Sequence, residues 1–140
     1  ESYPILKTIE TDAEKIDTDG ALSTAPRDNY AFTVPSGKAG KYVVWAYFQI
    51  YNAGGGNTNN DQMRIKLRKK PSGGSYADYA TSRKYIEPDI DDDTCWFHTA
   101  IDLAVGDKIN IQVYREQGAG TYAIAGDSIA ASHWMGFKIA

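Results

Sequence analysis

The sequence predicts an all-β domain, a sandwich or barrel of short strands, and three observations carry this prediction. Turn sequences rich in Gly, Pro, Asp and Asn separate apolar, β-branched segments at short intervals, which is typical of strands joined by turns. The 140 residues include ten Tyr, three Trp, four Phe and thirteen Gly, a composition that favours strands. No segment sustains the 3.6-residue apolar period of a helix.

Length and charge limit the classes of partner. A chain of 140 residues is one domain's worth, and we treat 1–140 as a single domain, the C-terminal part of a longer chain. The net charge of -3 gives no general attraction to nucleic acid. No apolar run approaches the roughly 18 residues of a membrane span, so we expect no membrane insertion. The single cysteine, Cys95, excludes an intramolecular disulfide.

The apolar segments predict nine strands. They lie near residues 4–10, 28–34, 41–51, 62–69, 76–86, 94–102, 108–115, 121–125 and 133–139.

The strand at 41–51 is unusual because both of its faces are apolar. Successive side chains of a strand point to opposite faces, whereas "MRIKLRKK" and "KINIQVY" alternate apolar with polar residues and predict one wet face each. The two faces of 41–51 are Tyr42, Val44, Ala46, Phe48, Ile50 on one side and Val43, Trp45, Tyr47, Tyr51 on the other. We expect the even-numbered face to fill the core and the odd-numbered face to cover a second surface.

Four segments, in order, resemble motifs of the C1q/tumour-necrosis-factor-like jelly roll. They are "YAFTVPSGKAGKY", with its F-x-x-P and G-x-Y sequences, the central strand "MRIKLRKK", the L-x-x-G-D hairpin in "AIDLAVGDKINIQVY", and the closing strand "HWMGFKIA". The match runs from about residue 5 to the end. It implies an all-β, two-sheet antiparallel jelly-roll sandwich that is homotrimeric. This domain also occurs in bacteriophage fibres and virion decoration proteins, which "FTVPSGKAGKYVV" resembles.

The resemblance also implies a trimer interface. Family members tend to carry an aromatic residue at three positions along the three-fold axis, and here those positions are Trp45, Trp96 and Trp134, all of the tryptophans in the chain. Val43 and Tyr47 share the strand face of Trp45 and join the predicted interface. The alternative is that the three indoles fill the subunit's own core.

One aromatic segment, "YADYATSRKY", is a candidate ligand site. Flat rings combined with hydrogen-bond donors suit sugars and protein surfaces. The residues are Tyr76, Tyr79, Arg83 and Tyr85. If they are exposed they form a binding platform, and if they are buried they are only packing. The nearby basic run from Arg64 to Lys70 is interpreted as a solvated outer face, with phosphate or acidic polysaccharide as the alternative.

The sequence favours no catalytic residue and no cofactor. Asp89, Asp91 and Asp93 supply oxygen ligands that calcium prefers, but their spacing is not that of an EF-hand loop, so a solvated loop is the main interpretation. Cys95 and His98 lack partners for a zinc set, and we expect an apolar filler and a partly buried polar residue. "GDSI" (126–129) with His133 lacks the strand-Ser-helix context of a hydrolase.

Together these features predict a non-enzymatic, trimeric structural and binding module of a virion, either a phage fibre head or a capsid decoration. Its partners would be a host cell-surface glycan or protein, or other virion proteins. The alternative is a secreted or surface-displayed C1q-like adhesive, ligand-binding domain of a cell, located outside the cell or on its surface.

Overall fold

The computed structural model describes residues 5–8, 31–54, 62–86, 92–117, 121–124 and 133–140. Within these ranges the chain forms nine strands, one in each predicted segment. They are β1 (Ile5–Thr8), β2 (Phe32–Thr33), β3 (Gly40–Gly54), β4 (Gln62–Lys70), β5 (Ala77–Tyr85), β6 (Asp92–Leu103), β7 (Lys108–Gln117), β8 (Thr121–Ile124) and β9 (His133–Lys138). The predicted segments 4–10, 28–34 and 121–125 extend in part beyond the described residues.

The strands form two antiparallel sheets. The β7 sheet has the order β1-β7-β4-β5, with β2 also pairing with β7. The β3 sheet is built around β3, which pairs with β6 on one side and with β9 and then β8 on the other. This is the predicted all-β sandwich.

The core lies between the sheets and is made of inward-facing apolar side chains from both. All five even-numbered residues of β3 from Tyr42 to Ile50 are buried, which confirms the predicted core face. Opposite them, β4 contributes Met63, Ile65 and Leu67, all buried. The largest fully buried side chain is Phe48.

Strand β7 departs from the simple alternation of its sequence. Asn110 and Gln112 face away from the core, opposite Arg68 and Lys66 of β4, yet both are buried. The strand lies inside its sheet, so long side chains of neighbouring strands flank these shorter amides. The "KINIQVY" pattern predicts correctly the direction in which these side chains point, but it is wrong about their exposure to solvent.

Gly40 is required where β3 begins. Its φ of 151° is a backbone conformation that residues other than glycine rarely adopt. A Cβ there would also collide with the carbonyl oxygen of Ala140, because Lys41 N donates to that oxygen at 2.8 Å. The Gly of the G-x-Y sequence therefore lets the end of the described chain lie against the start of β3.

Asp107, the last residue of the L-x-x-G-D motif, holds the β6–β7 turn. Its carboxylate accepts hydrogen bonds from Ala104 N at 3.0 Å and Ser72 N at 3.1 Å, and lies 2.8 Å from Lys69 Nζ. Burial opposes the charged form, but the Lys69 ammonium and the two backbone donors outweigh it and lower the pKa of Asp107 from its usual 3.8. The motif thus ties two turns to one buried carboxylate.

Candidate subunit interface

The outward face of the β3 sheet exposes large apolar side chains. Trp96 is 61% exposed, Phe137 52%, Trp45 51% and Met135 49%. They lie on β6, β3 and β9, three adjacent strands. We call this surface the aromatic face; it comprises Val43, Trp45, Tyr47, Trp96, His98, Met135 and Phe137. Single exposed apolar residues are common, whereas contiguous large ones mark contact surfaces.

Strand register makes the aromatic face continuous. Trp45 lies at its centre, opposite His98 of β6 and Met135 of β9. Trp96 pairs with Tyr47 in the next row, and Val43 with Phe137 in the row before. Neighbouring strands lie about 4.8 Å apart, so large side chains paired across adjacent strands lie side by side. The rings of Trp96 and His98 stack in parallel, with centroids 5.6 Å apart and planes 2° apart.

The predicted interface residues fall into two groups. Trp45 and Trp96 are exposed on the aromatic face, and Val43 and Tyr47 lie half-buried beside them. Trp134 is different, because it pairs with Ala46, a core residue, and packs partly buried against the core. A partly buried Trp134 differs from the exposed Trp45 and Trp96, and its predicted place in the trimer interface stays a prediction. The trimer interface itself stays a prediction.

Sequence reasoning missed Met135 and Phe137. The signal was present in the closing strand, where alternation places residues 135 and 137 on the face opposite Trp134 and Gly136. His98 was also misjudged: it is exposed on the aromatic face, not partly buried. A one-residue difference in register decides which side chains of a strand face outward.

A charged pair borders the aromatic face. Lys41 Nζ lies 2.8 Å from Asp102 Oδ2, and both side chains are largely exposed. The hydrogen bond to Asp102 and its negative charge raise the pKa of Lys41 above 10.5. An apolar centre with a polar, solvent-accessible rim is the usual anatomy of a protein interface.

The four candidate ligand residues do not form one platform. Arg83 and Tyr85 are exposed on the outer face of β5, Tyr85 by 62%. Tyr76 is half-buried with the Arg68 guanidinium 5.2 Å from its ring centre. Tyr79 sits where the β4–β5 register shifts, and its hydroxyl donates to Ala100 O of the other sheet at 3.2 Å. Only Arg83 and Tyr85 present a shared exposed surface.

The basic run of β4 is matched by acidic and aromatic partners on the outer face of the β7 sheet. Arg64 forms an ion pair with Glu116, and Lys66 Nζ lies 2.5 Å from Asp78 Oδ2. The Lys66 ammonium also lies 4.9 Å from the centre of the Tyr114 ring, a cation–π distance. These contacts favour a structured, solvent-facing surface over a phosphate site.

No metal centre is evident among the residues that the structure describes. Asp89 and Asp91 lie outside the described residues. The Asp93 carboxylate lies 3.2 Å from Lys84 Nζ and accepts from Thr94 N at 2.7 Å. No group of three His, Cys, Asp or Glu side chains in the described ranges is arranged to hold an ion, and the predicted solvated loop and its calcium alternative both stay untested.

Cys95 is buried, as predicted for an apolar filler. Burial raises the pKa of its thiol to about 12, and the nearby Asp93 carboxylate adds to the shift. A thiol with so little thiolate is a poor nucleophile.

In the described part of the chain, no helix is long and apolar enough to cross a lipid bilayer. The "GDSI" segment lies outside the described residues.

Comparison with solved structures identifies the fold. The chain is similar to the Eiger TNF protein of S. frugiperda, with a TM-score of 0.58 and 16% identity over 85% of this chain and 68% of that one. Murine APRIL, crystallised at pH 5.0, gives a TM-score of 0.54 and 12% identity over 76% and 69%. No protein-family profile and no curated sequence matches. With the two-sheet topology, these neighbours confirm a TNF-like jelly-roll sandwich.

Proposed function

We propose that this domain is a non-enzymatic binding module that assembles as a homotrimer through the aromatic face. The observation that carries the proposal is the exposure of Trp45, Trp96, Met135 and Phe137 on three adjacent strands. A second copy of the chain is the partner that the fold favours, because the C1q/TNF-like resemblance implies trimers with aromatic residues at the axis. Trp45 is the central contact of this interface.

The biological setting we propose is extracellular or at a cell surface, where the trimer binds a ligand. Both structural neighbours are TNF-type proteins, which supports a ligand-binding domain of this kind over the predicted virion module. Neither neighbour is a phage fibre or capsid decoration, so the virion role stays a prediction without support from these comparisons.

Binding to the ligand would use surfaces that trimerisation leaves open. Arg83 and Tyr85 lie on the opposite sheet from the aromatic face, so a trimer would present three copies of each. Three weak contacts on one rigid body combine into high avidity. The ligand class that suits an exposed phenol beside a guanidinium is a glycan or a protein surface.

The first test is the mass of the protein in solution. Light scattering should give about three times the 15.4 kDa of the subunit, and a stable monomer at high micromolar concentration would overturn the proposal. The second test compares cell-surface binding of the wild-type chain, an Arg83→Ala, Tyr85→Ala double variant, and a dissociated Trp45→Asp variant. Loss of binding in both variants, with the trimer intact only in the first, is the expected result.

A further inference from the structure

One of the two histidines of this chain, His98, lies exposed on the aromatic face. The sequence contains only His98 and His133. His98 pairs with Trp45 on one side of β3, and His133 pairs with Tyr47 on the other. Imidazole is the side chain whose ordinary charge change falls between about pH 5 and 8. Accordingly, an interface built on this face would contain the imidazole of His98.

We infer that acidification dissociates the trimer by protonating His98 inside the subunit contact. The inference rests on the proposed trimer and deepens it by naming its regulation. In the free subunit, the His98 side chain is exposed and water solvates either protonation state. Covering the aromatic face removes that water. A neutral imidazole tolerates apolar neighbours, whereas a buried unpaired charge costs several kcal/mol.

Among the described residues, none of the side chains next to His98 in register on the same face is a carboxylate. Its neighbours along β6 are Trp96 and Ala100, and across β3 it meets Trp45. The charged groups nearest in register are Lys41 and Asp102, which already pair with each other at 2.8 Å. At the other end of β6, Asp92 is paired in register with Tyr51. Counting every second residue pair, this pair lies three rows from His98 and five rows from the Lys41–Asp102 pair. From β9 the register brings Met135, with His133 and Phe137 in the flanking rows.

Stacking on Trp96 does not remove the effect. A protonated imidazole gains cation–π attraction from an indole ring, and the two rings are parallel within the subunit, at 5.6 Å. That attraction is therefore present in the monomer as well as in the trimer. Assembly adds the loss of water around His98, and this loss disfavours the charged form.

The size of the effect follows from proton linkage. If each subunit must release one proton to assemble, acidification raises the trimer dissociation constant by up to about a thousandfold per pH unit. Since this constant scales as concentration squared, the concentration at half dissociation rises by up to about thirtyfold per unit. A drop from about pH 7.5 to about pH 5 should therefore shift the protein from trimer towards monomer at a fixed concentration.

Sedimentation equilibrium of the wild-type protein between about pH 8 and about pH 5 tests this inference, with circular dichroism to verify that the chain stays folded. Trimer at the upper pH and folded monomer at the lower one is expected. His98→Phe and His98→Gln should each keep the trimer at about pH 5, and Tyr85→His, a control on the opposite sheet, should dissociate like the wild type. An acid-stable wild-type trimer, or His98 variants that dissociate as the wild type does, would overturn the inference alone; a monomer at every pH would overturn the proposed trimer instead.

Discussion

Replacement of Trp45 by aspartate tests the assembly most directly. The side chain is 51% exposed in the subunit and lies at the centre of the aromatic face, opposite His98 and Met135. Its backbone pairing on both sides is independent of the indole. The substitution should leave the sandwich folded while it places one carboxylate per subunit inside the contact.

The expected loss of association free energy follows from the area of the Trp45 side chain that the interface would cover. A tryptophan contributes about 150 to 250 Å² when fully buried, so the half still exposed represents about 100 Å² to be covered on assembly. At about 25 cal/mol per Å² this is ~2.5 kcal/mol per subunit and ~7 kcal/mol per trimer. Such a loss raises the trimer dissociation constant by about five powers of ten and the half-dissociation concentration several-hundredfold. Burying three carboxylates adds several kcal/mol more.

Light scattering over a dilution series measures this shift, and urea unfolding of the dissociated chain measures folding separately. Tyr85→Asp is the matched control, since Tyr85 is an aromatic residue 62% exposed on the other sheet. The control should keep the wild-type mass at every concentration. A Trp45→Asp protein that remains trimeric at the same dilution as the wild type refutes the assignment of the aromatic face as the interface.

Three further predictions concern the single subunit. Gly40→Ala should lower unfolding stability by about 1 to 3 kcal/mol, because its Cβ collides with Ala140 O; an unchanged urea midpoint contradicts this. Asp107→Asn should cost about 3 kcal/mol near neutral pH by removing the buried carboxylate that pairs with the Lys69 ammonium. Since folding lowers the pKa of Asp107, its stabilisation is present above the ordinary value of 3.8 and is lost as pH falls below it. The urea midpoints of the wild type and of Asp107→Asn should therefore converge at low pH. A difference that stays constant with pH counts against the ion pair. Cys95, with its pKa raised to about 12 by burial, should resist alkylation at about pH 8 until urea unfolds the chain; rapid native labelling would show an accessible thiol.

Alternation of side chains made the strands and the core predictable from the sequence. Every predicted segment contains a strand, and the even-numbered face of β3 is buried as expected. The period of two is a local property of the backbone, so a single sequence reveals it. The odd-numbered face was predicted to cover a second surface, and Trp45 is indeed exposed in the subunit.

Properties that depend on neighbouring strands were harder to predict. Trp134 was assigned by motif spacing, but pairing with Ala46 turns it inward. Tyr79 was grouped with Arg83 and Tyr85, but the register shift in the β4–β5 pair sends its hydroxyl to the backbone of the other sheet. A bulge or a one-residue slip reverses the direction of a side chain. No composition or motif of a single strand reveals such a shift.

The two outer faces of the sandwich differ in a way that separates assembly from folding. On the β7 sheet, cations are matched by Glu116, Asp78 and aromatic rings, so this surface suits water. On the β3 sheet, the aromatic face has no such partners for its exposed rings within the described residues. The β7 sheet also supplies two lysines that form ion pairs with carboxylates outside its own strands. Lys69 pairs with Asp107 of the β6–β7 turn, and Lys84 pairs with Asp93 of β6.

Among the described residues, the inward-facing side chains of both sheets are buried without a second copy of the chain. The subunit therefore contributes its own folding free energy, and the aromatic face contributes only to association. This separation predicts that dissociation by dilution, by acid or by Trp45→Asp yields folded monomers that reassemble when the condition is reversed. Loss of circular dichroism in step with loss of trimer mass would instead show that the subunit depends on its neighbours to fold.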